Sequence, residues 1–457
     1  MKRWGAIVLW SVLAAAFIGP GTVTTAASSG AGYGYALLWA LTFSIGACLV
    51  LQEAAARLTA VSGRTLGEAL RARYRGGVRG AMVLGLVTTA IVLGAAAYEA
   101  GNILGAVAGA TLLGVGDGRL WTVVLGVLAA GLLWTNAPRG VARLLSVLVA
   151  LMGVAFLWTA AALRPAVGEL LTGALVPSLP HGAALLALGL VGTTVVPYNL
   201  FLGSGIARGQ GLGELRLGIA VAVVAGGLIS MGVLVVGAAV AGPFDFPALA
   251  AVLAERMGPW GGRAVALGLL AAGLSSAITA PLAAAMTAAS LFGDDGDTRW
   301  SPRGGLYRAV WLGVLAVGVG FGLAGVQPIP VIVLAQAANG VLLPVVAAFL
   351  FLAVNDRDLM GEERMNGATA NVLTACVLAV ACLLGLSGLL RAGARAVGLP
   401  PPGAGLLVAV GLVVGVLTTV SLLGAVRRLR AGGAALAQGL VEGDADAGRD
   451  VQRPHVR

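Results

Sequence analysis

Apolar residues run through this chain in long stretches from Gly5 to Val426, separated by short segments rich in Arg, Gly and Pro. A bilayer core about 30 Å thick is crossed by about 20 apolar residues in helical form. The pattern predicts twelve such spans, at about 5–29, 33–57, 80–113, 119–135, 141–163, 182–207, 217–241, 263–291, 307–325, 329–354, 368–389 and 403–425. A helix satisfies its backbone polar groups internally, as hydrocarbon requires. The chain therefore reads as an all-α polytopic membrane protein. Lys2 and Arg3 ahead of an apolar run, with Ala14–Ala16 as a cleavage site, resemble a signal peptide. The run continues well past a signal core, so it is read as the first span.

Composition supports this reading. Hydrophobic residues make up 59% of the chain and charged residues 11%, and the mean hydropathy is +0.96. A soluble domain carries about 25% charged residues, so a core of this size in water is excluded. The 71 glycines follow no three-residue period, which excludes collagen. Small residues let membrane helices approach closely. The 28 arginines against one lysine also point to a GC-rich genome, which inflates Gly and Ala. Cys48, Cys376 and Cys382 lie inside apolar spans, and the two histidines, His181 and His455, lie outside them. Neither a disulfide framework nor a zinc site is implied.

The net charge of +10 does not indicate nucleic acid, because of where the charge lies. With the N-terminus in the cytoplasm, 23 of the 29 basic residues fall on the cytoplasmic side. That bias places both termini in the cytoplasm, here of a bacterial inner membrane. Residues 1–430 form one transmembrane domain. Residues 431–457, with mixed charge and many Gly and Ala, are expected to be a disordered tail. Loops reach only about twenty residues. No His/Cys/carboxylate constellation or nucleophile motif is present, so the chain does not read as an enzyme and no cofactor is implied.

Two spans carry helix-breaking signals. Span 1 holds Gly19-Pro20-Gly21-Thr22, and span 6 holds Val196-Pro197-Tyr198-Asn199 between Gly192 and Gly203. Proline removes a helical hydrogen bond and glycine lowers the cost of unwinding. Irregular backbone inside a membrane survives only within protein or beside a cavity. Breaks at matching places in two five-helix halves point to an inverted-repeat transporter with a midplane site. The repeats fall at about 5–163 and 182–354, with two extra helices at 368–425.

Gly19-Pro20-Gly21-Thr22 followed by Gly32-Tyr33-Gly34-Tyr35 resembles helix 1 of the Nramp divalent-metal transporters. Gln52-Glu53-Ala54-Ala55-Ala56-Arg57-Leu58 is similar to their second helix, and Gly192 to Leu202 to their sixth. Ala272 to Thr279 resembles the eighth, and Ala335-Gln336, Leu343-Pro344 and Asn355 to Gly361 resemble the tenth and its exit. The resemblance implies a LeuT-like fold with a 5+5 inverted repeat, helices 1 and 6 unwound around the substrate, and proton-linked alternating access.

The departures fall on the family's ligands. The Asp and Asn of helix 1 are Gly19 and Thr22 here, and the Met and His of helix 6 are Val196 and Tyr198. A further family histidine aligns with Gly203. Of the acidic pair in helix 3, Glu99 remains and Asn102 replaces the other acid, while Gln336 of helix 10 is kept. The candidate substrate site is thus Gly19, Thr22, Val196, Tyr198, Asn199 and Gln336, with Thr22, Asn199 and Gln336 as metal ligands. Losing the Asp removes formal charge, and losing the Met removes a soft ligand. Hard oxygens suit Mg2+ better than Mn2+.

Glu99, with Asn102 one turn on, is the candidate coupling site, since charge inside a span is costly and usually functional. Glu53 is expected to pair with Arg57 four residues on. Asp294, Asp295 and Asp297 read as a solvated turn. The leading expectation is a divalent-cation transporter, for Mg2+ or Mn2+, linked to protons. The alternatives are a carrier of a small polar, amino-acid-like solute on the same scaffold and a transport-inactive binding protein.

Overall fold

The computed structural model describes residues 18–135, 139–294, 296–396 and 402–450. In chain order the helices are α1 (Pro20–Tyr33), α2 (Leu38–Ser62), α3 (Leu66–Tyr74), α4 (Gly77–Leu112), α5 (Gly118–Thr135) and α6 (Arg139–Ala162). Next come α7 (Val167–Leu175), α8 (Ala184–Thr194), α9 (Pro197–Ile206), α10 (Leu212–Gly237), α11 (Phe246–Met257) and α12 (Pro259–Phe292). The last five are α13 (Gly305–Leu323), α14 (Pro328–Ala353), α15 (Arg357–Met360), α16 (Ala368–Ala396) and α17 (Ala404–Asp450). No strand occurs among the described residues. Eleven segments of these are long and apolar enough to span a membrane. They match the expected spans 2 to 12; span 1 is described only from Ile18, and its residues 5–17 lie outside the described part.

Four short helices escaped the span pattern. Among them α3 begins with a capping box, in which Thr65 accepts from the Glu68 backbone and Glu68 accepts from the Thr65 backbone. Its Thr-x-x-Glu signature was present in the sequence. The last helix continues past Arg430 to Asp450, into the segment whose composition predicts disorder.

Most buried apolar side chains fall into two large clusters. One gathers Leu51, Leu58, Leu66, Tyr98, Tyr198, Phe201 and Phe351. The other gathers Val23, Leu41, Leu104, Phe156, Leu190, Leu234 and Leu269. On α4 the first cluster ends at Tyr98 and the second begins at Leu104, with buried Glu99 and Asn102 between. On α14, Ile332 belongs to the second and Ala337 to the first, with buried Gln336 between. A polar layer therefore separates two apolar halves.

The glycine content has a structural use. A Cβ at Gly30 of α1 would overlap the Leu234 carbonyl of α10, and one at Gly237 would overlap the Ala27 carbonyl. Spans 1 and 7 thus touch backbone to backbone, as small residues allow. On the outside, α6 exposes Leu144, Val147, Leu151, Val154 and Trp158, and α17 exposes Val413, Val416, Leu417 and Val420. Stripes of this size face lipid rather than water.

Candidate functional site

The span-6 break lies where the sequence placed it, and in span 1 the described residues show where the second half begins. Gly19 is extended (φ −91°, ψ 173°), and α1 starts at Pro20. In span 6 the non-helical residues are Val195 (φ −106°, ψ 76°) and Val196 (φ −80°, ψ 122°). Pro197 is not the interruption; it is the first residue of α9. Proline suits a first helical position, because its missing N–H is unneeded there and its φ is preset. The break turns the N-terminal end of α9 and the C-terminal end of α8 toward each other. Their opposite dipole ends meet in the membrane interior.

Thr22 and Thr193 join spans 1 and 6 through a hydroxyl contact of 2.9 Å, in which either oxygen can donate. Gln336 of α14 lies over Gly21, where any Cβ would overlap its amide. Its Nε2 would stand 3.8 Å from a Cβ at Gly101 of α4. Gln336 is fully buried, and neither its Oε1 nor its Nε2 has a hydrogen-bond partner among the described residues. The glycines of spans 1 and 3 thus make room for an amide that no described residue satisfies.

Asn199, in the first turn of α9, is also buried, with Oδ1 unpartnered among the described residues. Its backbone carbonyl accepts from Gln52 Nε2 of α2 at 3.3 Å. No hydrogen bond links Asn199 to Gln336. Of the expected ligands, Gln336 thus lies against span 1, while the backbone carbonyl of Asn199 meets span 2.

Gly19 opens space rather than filling it. A Cβ there would sit 3.3 Å from Ser276 Oγ and 4.0 Å from the Tyr98 hydroxyl. Val196 is buried beside Tyr198. Tyr198 packs edge-on against Tyr98, with ring centroids 5.5 Å apart and planes at 89°. Such edge-to-face pairs are favourable and resist sliding. The pair forms an aromatic wall on one side of the polar layer.

Glu99 is fully buried. Its Oε2 accepts from Asn102 Nδ2 at 3.1 Å, and its Oε1 has no partner among the described residues. Gly318 of α13 packs directly on it, so that a side chain there would meet the Glu99 Cγ. By contrast Glu53 is a structural acid: it pairs with Arg57 at 3.2 Å and with Arg216 at 2.8 Å. Asp294 pairs with Arg75 at 3.1 Å and Asp297 with Arg299 at 3.0 Å, as a solvated turn should; Asp295 lies outside the described residues. No group of three or more His, Cys, Asp or Glu that could hold a metal occurs among the described residues.

Thr193, Ser276 and Gln52 were missed as site residues. Thr193 stands in the same Gly-Thr-Thr run as the break and could have been marked. Gln52 and Ser276 stand in stretches that resemble the family's second and eighth helices, but only packing brings them to this region.

The family model for natural resistance-associated macrophage protein-like proteins matches residues 11–391. The chain belongs to the Nramp family. Among relatives of this Nramp protein, the divalent metal cation transporter MntH of Aeromonas hydrophila is 27% identical over 400 residues, covering 83% of this chain and 93% of that one. The MntH of Verminephrobacter eiseniae is 29% identical over 390 residues, covering 80% and 85%. The metal transporter Nramp4 of Arabidopsis thaliana is 32% identical over 203 residues, 44% of this chain, and the match spans about two fifths of that relative's length (39%).

Among solved structures, a mutant of the Eremococcus coleocola manganese transporter superposes with a TM-score of 0.69 at 19% identity, covering 94% of this chain and 97% of that one. Mhp1, a nucleobase-cation-symport-1 family transporter in a closed conformation, gives 0.53 at 16% identity, covering 93% and 95%. The fold is therefore LeuT-like, with a 5+5 inverted repeat and a span 6 broken at Val195 and Val196. This Nramp protein is an integral membrane protein.

Proposed function

We propose that this chain carries a hard divalent cation, Mg2+ in preference to Mn2+, by proton-linked alternating access. The observation that carries the reading is the pair of buried amide oxygens without partners among the described residues, Asn199 Oδ1 and Gln336 Oε1, beside the span-6 break and the start of α1. A buried polar atom left unpaired costs about 1–3 kcal/mol, so it marks a place where something else binds. Amide and hydroxyl oxygens are hard ligands, and Mg2+ keeps several of its waters when bound. No thioether is present at Val196 to favour a transition ion. The substrate site comprises Gly19, Thr22, Val196, Tyr198, Asn199 and Gln336.

With no acid at Gly19, formal charge in the polar layer is available from buried Glu99, oriented by Asn102. Its deprotonation would offset part of the dication's charge, and its reprotonation would favour release. That is the proton linkage. The single domain, the repeats at 5–163 and 182–354, and two cytoplasmic termini in a bacterial inner membrane complete the picture; the arginine distribution supports the orientation.

A second reading rests on Gln336 Nε2, an unpartnered donor in the same site. A donor beside an acceptor, with a half-helix N-terminus nearby, also suits a small polar solute such as an amino acid. Calorimetry on purified protein separates the two. Mg2+ binding with Mn2+ affinity no better than millimolar supports the cation reading. Micromolar Mn2+ binding would overturn the hard-ion preference. Silence toward both ions would favour the organic solute or a protein that binds without transporting.

A further inference from the structure

The Gln52 side chain lies apart from the layer of Thr22, Thr193 and Gln336, on the far side of the span-6 break. It is buried at 1% exposure, as is Asn199. Gln52 Nε2 donates to the Asn199 carbonyl at 3.3 Å, which fixes the amide against α9. Its Oε1 rests on Gly203, where any Cβ would overlap it. A residue with a side chain at 203 would displace this amide; glycine leaves it room. Gln52 Oε1 and Asn199 Oδ1 are both buried and both lack a hydrogen-bond partner among the described residues.

A glutamine that served only to tie two helices would satisfy its oxygen as well as its nitrogen. Here the nitrogen is bonded and, among the described residues, the oxygen is not. Further along the same α2–α9 seam, Thr59 and Ser204 share a hydroxyl contact of 2.6 Å, and Ser204 accepts from the Leu66 backbone at 2.7 Å. At its end Glu68 pairs with Arg208. The seam thus runs from the break to the arginine-rich face as a line of oxygens.

We propose that Gln52 Oε1 and Asn199 Oδ1 form a second, release-side station for the hard divalent cation, through which it passes on leaving the site between spans 1, 6 and 10. This rests on the cation reading above. Two neutral amide oxygens hold a hydrated Mg2+ weakly, because most of its shell stays water. Weak holding is what a transit station requires. Asn199 belongs to both stations, so the ion is handed along one side chain rather than across the apolar cluster around Phe201. Gln52 is a specificity-determining residue of this path: an amide there passes a hard ion and offers a soft one no preference.

The test uses the full chain, with Mg2+ itself as the probe. Binding is read by calorimetry, and uptake into proteoliposomes gives KM and maximal rate. Gln52→Glu adds a charge to the station, so Mg2+ should bind about tenfold tighter, since ligand charge tunes such sites. The maximal rate should fall together with KM, because the ion now leaves slowly. Gln52→Met keeps the volume without the oxygen and should lower the maximal rate with KM nearly unchanged; it carries the test if the Glu variant does not fold. A merely structural glutamine would alter stability or the amount of folded protein and leave KM and rate per folded molecule as they were. Wild-type uptake of Mg2+ with unaltered kinetics in both variants would overturn the station and leave the cation reading standing. No Mg2+ binding or uptake by the wild type would overturn the cation reading and the station together.

Discussion

The proposed proton linkage turns on Glu99. Its identity as a buried acid was legible in the sequence, because a lone carboxylate inside a span is costly and rarely idle. Its surroundings were not: Gly318 presses on it from a helix more than two hundred residues away. Replacing Glu99 with Gln should leave the protein folded and abolish the pH dependence of uptake, measured across an imposed gradient. Unchanged pH dependence in a folded Glu99→Gln protein would remove Glu99 from the coupling role. Gln336 stands out in the sequence as a candidate site residue, but how it sits does not. Only the glycines at 21 and 101 reveal that its amide is cushioned by bare backbone. Nothing in the sequence gives Gln52 a role, because its partner, the Asn199 carbonyl, is 147 residues away. Sequence spacing reports neighbours on one helix and is blind to neighbours across helices.

The elements themselves were readable because hydropathy alone decides which segments can cross a bilayer. Short helices between spans escaped that test, since they cross nothing. α3 is the informative case. Burial pushes the Glu68 carboxyl up, but its bonds to the Thr65 backbone and the Arg208 guanidinium outweigh this and leave it below the usual carboxylate range. A group held low contributes stability above its unfolded value, and that contribution disappears as pH falls through the folded value. The α3 amides should therefore lose hydrogen-exchange protection, corrected for intrinsic rate, only below about pH 4. Glu68→Gln should weaken protection modestly at neutral pH, as expected for a partly exposed pair, and should flatten the acid response. An acid response as steep in the variant would locate the titrating group elsewhere. Spans 1 and 7 offer a second case. Gly237→Ala places a methyl on the Ala27 carbonyl and should destabilise the protein by about 1–3 kcal/mol, seen as a lower unfolding midpoint. A neutral effect would mean that the two backbones part easily.

At the scale of the whole molecule, two apolar halves meet at a polar layer crossed by broken helices. Matched breaks in spans 1 and 6 announced that plan in the sequence, because proline and glycine together inside hydrocarbon have few other uses. The cargo was less legible, since the family's charged and sulfur ligands are replaced by groups that serve several chemistries. Orientation follows from the arginines: in a cysteine-free background, a cysteine at Arg303 should be closed to an external thiol reagent and one at Arg256 open to it. The central claim is that hard oxygens at a LeuT-like break select a hard ion. Its most direct test is uptake into proteoliposomes under an inward proton gradient, with Mg2+ and Mn2+ compared on the same preparation. The account predicts Mg2+ uptake that the gradient accelerates and that equimolar Mn2+ barely inhibits. Rapid Mn2+ uptake at micromolar concentration, with Mg2+ excluded, would contradict it.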